Sequence, residues 1–547
     1  MTARLGALKH RYIGICMAFV LGLAAAGCGG GSNSSSQSTT QQTNPVPSIT
    51  SVSPSSATAG AAEQTLTITG ANFVTSSTAT YNGVAHTVTY VSSAQLTLQL
   101  SASDQATAGS YPVVVTNPAP GGGASNAVDF LVSSSTAASG AIAPSFFSMT
   151  VGFTGSLTWP PLPIGTLGEL TAAGWANVEP SQGQFDWSRL DDAISVAQAN
   201  GATTINYNMH TTPAWAAANP GAPCTFSFLT ACSSPPTNID DWNNYVTALV
   251  TRYKGKINYY ELWDEPDYTG QWSGTIQQLL TLAQSAYGII KSIDPDAQVL
   301  TPGVTVSAAQ PITNGCGVGC WLASYLQAGG AQYADGVTFH GFYCQNGTGP
   351  SQCPPGIGCD VAIDCAGAPL LQQISYVRAA MNANGLGDKL LFDTSGGWGK
   401  DTDLPDSFQQ EAYVARWYIL QAAAGVKIAD WWGWDVGWGT LGTNSSGLNA
   451  AGQAYTVVNG WLVGATATSP CALSGSIWTC GFSRPNGYEA QIVWSSANSS
   501  DSATSPYTPP SQFTRYRDLA GNTTSTTGAS IDVGMQPIIF ETGPPPS

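Results

Sequence analysis

The sequence predicts a multidomain protein in which a (β/α)8 TIM barrel is flanked by an N-terminal immunoglobulin-like β-sandwich and a C-terminal β-sandwich. Three observations lead to this prediction. The chain has 547 residues, which is enough for several domains of about 150 residues each. Strand-like runs alternate with helical runs from residue 142 to 463, while the segments on either side contain only short alternating strands.

The first 28 residues predict a lipoprotein signal peptide. Basic residues including Arg4 and Arg11 precede an apolar run over 13–26, which is too short for a comfortable membrane-spanning helix. The stretch LAAAGC resembles a bacterial lipobox, and this resemblance implies lipidation of Cys28. We therefore expect an exported protein, lipid-anchored to the cell envelope at the outer membrane or cell surface. Ordinary cleavage and secretion is the alternative.

A small β-sandwich is predicted for residues 47–132. Runs such as TLTITG, LTLQL and YPVVVTN alternate with a period of two and are separated by turn residues. The segments PSITSVSPSSATAG, LTITGANF and GSYPVVVTNPAP resemble the IPT/TIG immunoglobulin-like domain, which implies a spacer or binding module. A disordered tether over 29–46 precedes it and a linker over 133–141 follows, both too rich in small polar residues to bury a core.

The barrel is predicted for residues 142–463. Candidate strands are INYNM, INYYELW, VLTPG, GVTFHGF, KLLFDT and IADWWGW, and candidate helices are WNNYVTALVTRY and QLLTLAQSAYGIIKSI. Repeated βα units of this kind are typical of a parallel barrel. Short strands such as YEAQIVWSS return over 464–547 and predict the closing β-sandwich.

Composition narrows the class of partner. The formal charge is −16 with a pI near 4.4, and only 16 Lys and Arg are present. This excludes a nucleic-acid partner, because phosphate binding needs clustered basic residues. The 17 Trp and 21 Tyr favour a polysaccharide or oligosaccharide, since aromatic faces stack on sugar rings, although most aromatics belong to cores.

The cysteines predict disulfides in an oxidising compartment. Removing Cys16 and Cys28 from the 12 cysteines leaves 10, an even number. Close spacing favours three local pairs, which are Cys224 with Cys232, Cys316 with Cys320, and Cys471 with Cys480. The connectivity of Cys344, Cys353, Cys359 and Cys365 stays open. A zinc site is disfavoured because the spacing is wrong for one, and no nucleotide-binding motif is visible, so we expect no metal and no cofactor.

The segment YYELWDEPD is the most informative part of the barrel. It ends a predicted strand, and barrel enzymes carry their chemistry at the carboxyl ends of strands, so Glu265 should point into the mouth of the barrel. A carboxyl group in apolar surroundings can donate a proton near neutral pH, and Trp263 and Pro266 supply such surroundings. Glu261 shares the inward face by alternation and is expected to support Glu265.

At this point the chain resembles the clan A glycoside hydrolases, which carry W-N-E-P after the fourth strand. NVEPSQGQFDWSRLD and TFHGFY resemble the second-strand loop and sixth strand of the family 39-like group. The resemblance implies a retaining glycosidase with Glu265 as general acid/base. Asp264 departs from the family's Asn, which hydrogen-bonds the sugar 2-hydroxyl, because an Asp can accept from that hydroxyl but cannot donate an amide proton.

The nucleophile position is the second departure. The family carries a T-E-G-G-W-like motif after its seventh strand, and in LLFDTSGGWG the Glu position is occupied by Ser395. A retaining mechanism needs two carboxyl groups about 5–5.5 Å apart. The chain is therefore a degenerate sugar-binding relative, or a disabled hydrolase, or an enzyme in which Asp393 or Asp435 has taken over. An inverting variant, with a base about 6.5–9.5 Å from Glu265, is a further alternative.

Substrate-binding candidates follow from the same strand-end argument. The resemblance implies that His340 lines the donor-sugar subsite and that Trp434 is the strand-eight platform beneath the sugar. The full set of candidates is Asp264, His210, His340, Tyr343, Trp398, Trp432, Trp434, Asp435 and Trp438. For His210 a buried core role is the competing interpretation.

The leading hypothesis is a cell-surface glycoside hydrolase-like protein that acts on β-linked polysaccharide or oligosaccharide without a cofactor. The second is a catalytically impaired carbohydrate-binding lipoprotein that kept the groove. The third is an adhesin or surface scaffold in which residues 47–132 carry the recognition.

Overall fold

The computed structural model describes residues 43–545, apart from 55, 59–60, 107–108, 134–139, 152–156, 169–172, 227, 306–319, 343–367, 403, 436, 497–503 and 527. The predicted signal peptide, most of the tether, Cys28, Cys316, Tyr343 and the four-cysteine cluster lie outside the described residues. Within them the predicted fold class is confirmed: two N-terminal sheets, a closed barrel of eight parallel strands and C-terminal antiparallel sheets.

The N-terminal sandwich is built from two sheets with apolar residues facing inward. Its strands are β1 Ser48–Ser53, β2 Ser56–Thr58, β3 Gln64–Ala71, β4 Thr78–Tyr81, β5 Val84–His86, β6 Val88–Ser92, β7 Gln95–Leu100, β8 Gly109–Asn117, β9 Gly123–Ala124 and β10 Val128–Ser133. One sheet has the order β1-β3-β7-β6, and the other β2-β10-β8-β4-β5 with β9 on β8. Leu66, Ile68, Leu96 and Leu98 are fully buried between them, as the period-two pattern predicts.

The barrel closes because its first strand pairs with its eighth. Its strands are β11 Phe147–Met149, β12 Thr166–Leu167, β13 Thr204–Asn208, β14 Tyr259–Glu261, β15 Gln298–Leu300, β16 Gly336–Gly341, β17 Leu390–Gly396 and β18 Ala429–Trp431. Every neighbouring pair is parallel, including Phe147 of β11 opposite Ala429 of β18. The carboxyl ends of all eight strands therefore meet at one mouth.

Helices surround the barrel, and α3, α4, α7 and α8, as bounded below, begin with side-chain caps. They are α1 Trp175–Val178, α2 Ser188–Ala199, α3 Ile239–Tyr253, α4 Ile276–Ile293, α5 Cys320–Gln327, α6 Ala368–Ala383, α7 Ser407–Ala423 and α8 Ala450–Leu462. Asn238 caps α3 by accepting from the amide of Asp240, and Thr275 and Gln278 form a capping box on α4. Both predicted amphipathic helices are thus confirmed as α3 and α4.

The C-terminal region is antiparallel and packs on α7. After a hairpin of β19 Gly442–Thr443 and β20 Gly447–Leu448, the strands are β21 Thr466–Ser474, β22 Ile477–Arg484, β23 Tyr488–Ser495, β24 Ser505–Tyr507, β25 Arg515–Arg517, β26 Thr523–Ser525, β27 Ile531–Val533 and β28 Ile538–Glu541. The predicted disulfide between Cys471 and Cys480 is present and joins β21 to β22.

Contacts at α7 and α6 help to join the flanking domains to the barrel. Buried Arg416 of α7 donates to the carbonyl of Met535 through Nε at 2.9 Å, and through Nη2 to the carbonyl of Ser495 at 3.2 Å. On the other side, α6 packs against β8 and β10, and the Tyr376 hydroxyl donates to Asp129 at 3.3 Å. In the described part of the chain, no helix has the length and apolar character needed to cross a membrane.

Candidate functional site

The tip of the fourth barrel strand carries strained backbone. After β14 ends, Trp263 and Glu265 have φ values of 115° and 39°, which side chains with a Cβ rarely adopt. The Glu265 amide donates to the Gly303 carbonyl at 2.8 Å, and the Trp263 indole donates to the Gln271 carbonyl at 2.9 Å. Such strain persists only where surrounding contacts hold it, and it is concentrated at functional sites.

His340 connects the carboxylates of this tip. Its Nδ1–H donates to Glu265 Oε1 at 3.0 Å. Its Nε2 lies 3.6 Å from Glu261 Oε1 and 3.9 Å from Asp264 Oδ1. The imidazole is only 1% exposed, whereas the Glu265 side chain is 23% exposed and so reaches the mouth. Three carboxyl groups on one strand tip therefore converge on one ring from β16.

This arrangement favours the imidazolium form of His340. Burial by itself would lower the pKa of His340, but the contacts with Glu261 and Glu265 and the charge of Asp264 together hold that pKa well above its ordinary value. The positive ring partly neutralises the cluster. It also provides a proton in hydrogen-bond contact with Glu265.

Amide side chains and one glycine hold the carboxylates in place. Glu261 is fully buried and accepts from Asn206 at 3.4 Å and Asn208 at 3.5 Å. Asp264 accepts from Gln271 Nε2 at 2.7 Å. A Cβ on Gly303 would lie 2.2 Å from Glu261 Oε1 and 2.3 Å from His340 Nε2, so glycine is required for this approach.

The seventh strand lies directly beside His340. In the register of β16 and β17, Ser395 is opposite His340, and a bulge separates this pair from Phe339 opposite Asp393. Ser395 is 3% exposed. The tips of the fourth and seventh strands are thus both adjacent to one histidine.

Asp393 lies inside the barrel wall. It is fully buried and accepts from the Gly341 amide at 2.9 Å. Burial raises the pKa of Asp393 well above its ordinary value, although the Gly341 amide and the charge of His340 act in the opposite direction. A buried Asp with a raised pKa is a weaker nucleophile, because its charged form is disfavoured.

The other predicted residues occupy varied positions. His210 is buried at the end of β13, with its ring edge against Phe226 at 5.7 Å between centroids. Trp398 and Trp434 are buried, at 1% and 2% exposure. Trp432 and Trp438 are half-buried with centroids 5.7 Å apart.

Asp435 is on the exposed part of the eighth-strand loop. Partial burial of its carboxyl group raises the pKa of Asp435. The structure therefore brings Asp264 and Glu265 to the ring of His340, and it places Ser395 opposite His340 in the pairing of β16 with β17. It places Trp398 and Trp434 in packed positions, without a free aromatic face.

Sequence reasoning missed Asp267. Its carboxylate accepts from the Thr305 hydroxyl at 2.6 Å and from the Thr305 amide at 3.3 Å. Burial raises the pKa of Asp267 to about 6, and the charge of Glu265 adds to this while the Thr305 hydrogen bonds oppose it. The available signal was an Asp two residues after Glu265 in a chain with only 9% charged residues.

Among the residues that the structure describes, no group of three or more His, Cys, Asp or Glu side chains is arranged to hold a metal ion. The chemistry available to the cluster is proton transfer and charge stabilisation by carboxyl and imidazole groups.

Comparisons with known proteins agree with this architecture. The IPT/TIG domain model matches residues 47–132, and a model described as beta-galactosidase, of the glycoside hydrolase class, matches 166–220. Among solved structures, a family 39 glycoside hydrolase from the gut symbiont Bacteroides cellulosilyticus WH2 aligns with a TM-score of 0.55 at 16% identity, over 90% of this chain and 99% of that one.

Two further structures align less closely. A family 44 xyloglucanase from Paenibacillus polymyxa aligns with a TM-score of 0.47 at 13% identity, over 74% of this chain and 97% of that one. A glucosidase from Croceicoccus marinus aligns with a TM-score of 0.43 at 14% identity, over 66% and 82% of the two chains. Residues 47–132 are an IPT/TIG domain, and the barrel has a glycoside hydrolase-like fold.

Proposed function

We propose that this protein is a cell-surface glycoside hydrolase-like protein acting on β-linked polysaccharide or oligosaccharide, with Glu265 as general acid/base and Ser395 at the position of the nucleophile. The single observation that carries the proposal is the contact of Glu265 with His340 at 3.0 Å, next to Ser395 on the neighbouring strand. It supports a proton donor and a second reacting position at the same mouth.

The proposed proton transfer uses the pair of Glu265 and His340. A glycosidic oxygen leaves poorly unless it is protonated, and Glu265 is the part-exposed carboxyl group of the cluster. As Glu265 gives its proton to that oxygen, it becomes a carboxylate, and the imidazolium of His340 stabilises this charge through its Nδ1 hydrogen bond at 3.0 Å. Glu261 and Asp264 keep the ring charged.

Ser395 limits the reaction. A hydroxyl without a base beside it does not stabilise an oxocarbenium ion as a carboxylate does, and Asp393 is buried with a raised pKa. The protein as it stands is therefore expected to bind β-linked glycans while turning them over slowly. This is the observation that favours the second candidate function, a carbohydrate-binding lipoprotein with impaired catalysis.

The test is restoration of the nucleophile. We expect Ser395→Glu to release aryl alcohol from an activated aryl β-glycoside at least about a hundredfold faster than the wild type, because it adds the missing carboxylate. Glu265→Gln in the restored background is the matched control and should remove most of the gain for substrates with poor leaving groups. Turnover in neither the wild type nor Ser395→Glu would contradict the assignment of both positions.

Anchoring to the envelope is part of the same proposal and is based on the lipobox-like LAAAGC. The wild type should be recovered with membranes and should incorporate a radiolabelled fatty acid. Cys28→Ala should abolish the label. Equal labelling of the two proteins would refute the anchor.

A further inference from the structure

Two loops are joined beside the tip of the fourth strand. The loop after β13 donates from the Thr225 amide to the Gly270 carbonyl at 3.0 Å, and the loop after β14 donates from the Ser273 amide to the Ser233 carbonyl at 2.8 Å. The disulfide between Cys224 and Cys232, which the sequence predicted, closes the first loop. These cross-links hold both loops as one unit. The loops therefore lose less conformational entropy when a ligand binds.

This unit presents two exposed aromatic rings. Phe228 is 61% exposed and Tyr268 is 42% exposed, whereas most large apolar side chains of the described residues are buried. The Phe228 ring lies 5.8 Å from that of Phe226, which itself packs against His210 at the end of β13. The loop that carries Phe228 is therefore attached to the floor of the mouth.

Tyr268 is attached to the backbone of Glu265. Its amide donates to the Glu265 carbonyl at 2.9 Å, so both lie in one tight turn. A Cβ on Gly270 would be 2.7 Å from Tyr268 Cε1 and 2.5 Å from Thr225 Oγ1. Gly270 thus lets the Tyr268 ring lie close to the loop that carries Phe228.

We infer that Phe228 and Tyr268 form a sugar-binding subsite on the leaving-group side of Glu265, and this inference rests on the proposed function. The general acid must reach the oxygen between two sugar units. In the proposed function Ser395 faces the sugar whose bond would be cleaved, and its strand β17 pairs with β16. The joined loops follow β13 and β14, and β13 neighbours β14 on the side away from β16 and β17, so in the proposed function these loops face the departing sugars.

The chemistry of the subsite suits a neutral glycan. Aromatic faces bind the apolar C–H faces of sugar rings, and the residues whose main-chain groups join the loops are Thr, Gly and Ser, which carry no charge. The ligand is therefore an oligosaccharide that continues past the bond at Glu265, and a single sugar with a small leaving group would not reach both rings.

The test measures binding as a function of ligand length. Calorimetric titrations would use β-1,4-linked xylo- and gluco-oligosaccharides of two to six units and a methyl β-monosaccharide as probes, with the full chain. We expect Phe228→Ala and Tyr268→Ala each to weaken binding of the longest ligand that the wild type binds by about tenfold. Binding of the monosaccharide probe should be unchanged.

Tyr90→Ala is the matched control, because Tyr90 is an aromatic residue of the N-terminal domain with 37% exposure. It should bind every ligand as the wild type does, and melting temperatures should confirm that all variants fold. If the wild type binds oligosaccharides and both loop variants bind them equally well, the subsite is refuted and the proposed function stands. If the wild type binds no oligosaccharide, the subsite and the proposed function are both refuted. A loss with Tyr90→Ala alone would place recognition in the N-terminal domain and would also refute the subsite.

Discussion

His340 and the carboxyl groups around it carry both the chemistry and a marked pH dependence. A buried imidazolium that faces Glu261, Asp264 and Glu265 stabilises the folded state while it is protonated. Removing it would leave buried carboxylates without their cation, which is costly in a low-dielectric interior.

We predict that His340→Gln lowers the free energy of unfolding by about 3 kcal/mol at pH 6. Because the pKa of His340 is raised in the folded state, its contribution is fully present below the ordinary histidine value of about 6.5 and is lost as pH rises through the folded value. The difference in free energy of unfolding between the wild type and His340→Gln should therefore disappear once the pH exceeds the pKa of His340 in the folded state.

Urea denaturation of both proteins from pH 5 to 10 would measure this. The control is His86→Gln, since His86 is a half-buried residue of the N-terminal domain that pairs with one carboxylate, Asp104, at 3.1 Å. If the free energy of unfolding of the wild type and of His340→Gln differed by the same amount at every pH tested, His340 would not be protonated in the folded state.

At the scale of elements, single glycines decide where strand tips can approach one another. Gly303 follows β15 and faces both Glu261 and His340, while Gly288 lies exposed within α4 with no atom near its missing Cβ. The same substitution should therefore have opposite effects at the two positions.

We predict that Gly303→Ala costs about 1–3 kcal/mol of stability by overpacking and displaces the cluster, lowering turnover in the Ser395→Glu background at least about tenfold. Gly288→Ala should instead stabilise the protein by up to about 1 kcal/mol, because alanine favours the helix. Chemical denaturation and aryl glycoside kinetics would check both. Unchanged kinetics with Gly303→Ala would show that the cluster tolerates displacement.

Local patterns account for the elements that could be predicted. The apolar spacing of α3 and α4 and the strand ending in Glu261 are encoded within single segments, so the barrel and the position of Glu265 were accessible from sequence. The burial of Trp398 was not, because it depends on Trp431 and Tyr413, which come from other elements. The convergence on His340 likewise depends on the register of neighbouring strands.

At the scale of the whole molecule, Arg416 connects the barrel to the C-terminal sheets. It is 2% exposed, donates to two carbonyl groups of those sheets and lies over the Trp494 ring. A buried guanidinium in such a position makes the barrel and the C-terminal sheets depend on each other.

We predict that Arg416→Ala lowers the free energy of unfolding by about 2–4 kcal/mol, because it orphans buried carbonyl groups and removes packing. Arg252→Ala is the control. Its exposed ion pair with Asp191 should be worth less than about 1 kcal/mol. Equal losses in differential scanning calorimetry would mean that Arg416 does not connect the two regions.

The packing of α6 against the IPT/TIG domain has a consequence for how the N-terminal domain works. The inner side of α6 supports β16, the strand of His340, and its outer side is covered by β8 and β10. A domain seated in this way cannot swing as a loose spacer. A force that a ligand applied to this domain would be transmitted through α6 to β16, the strand of His340. A barrel expressed without the domain would expose to water the face of α6 that β8 and β10 cover.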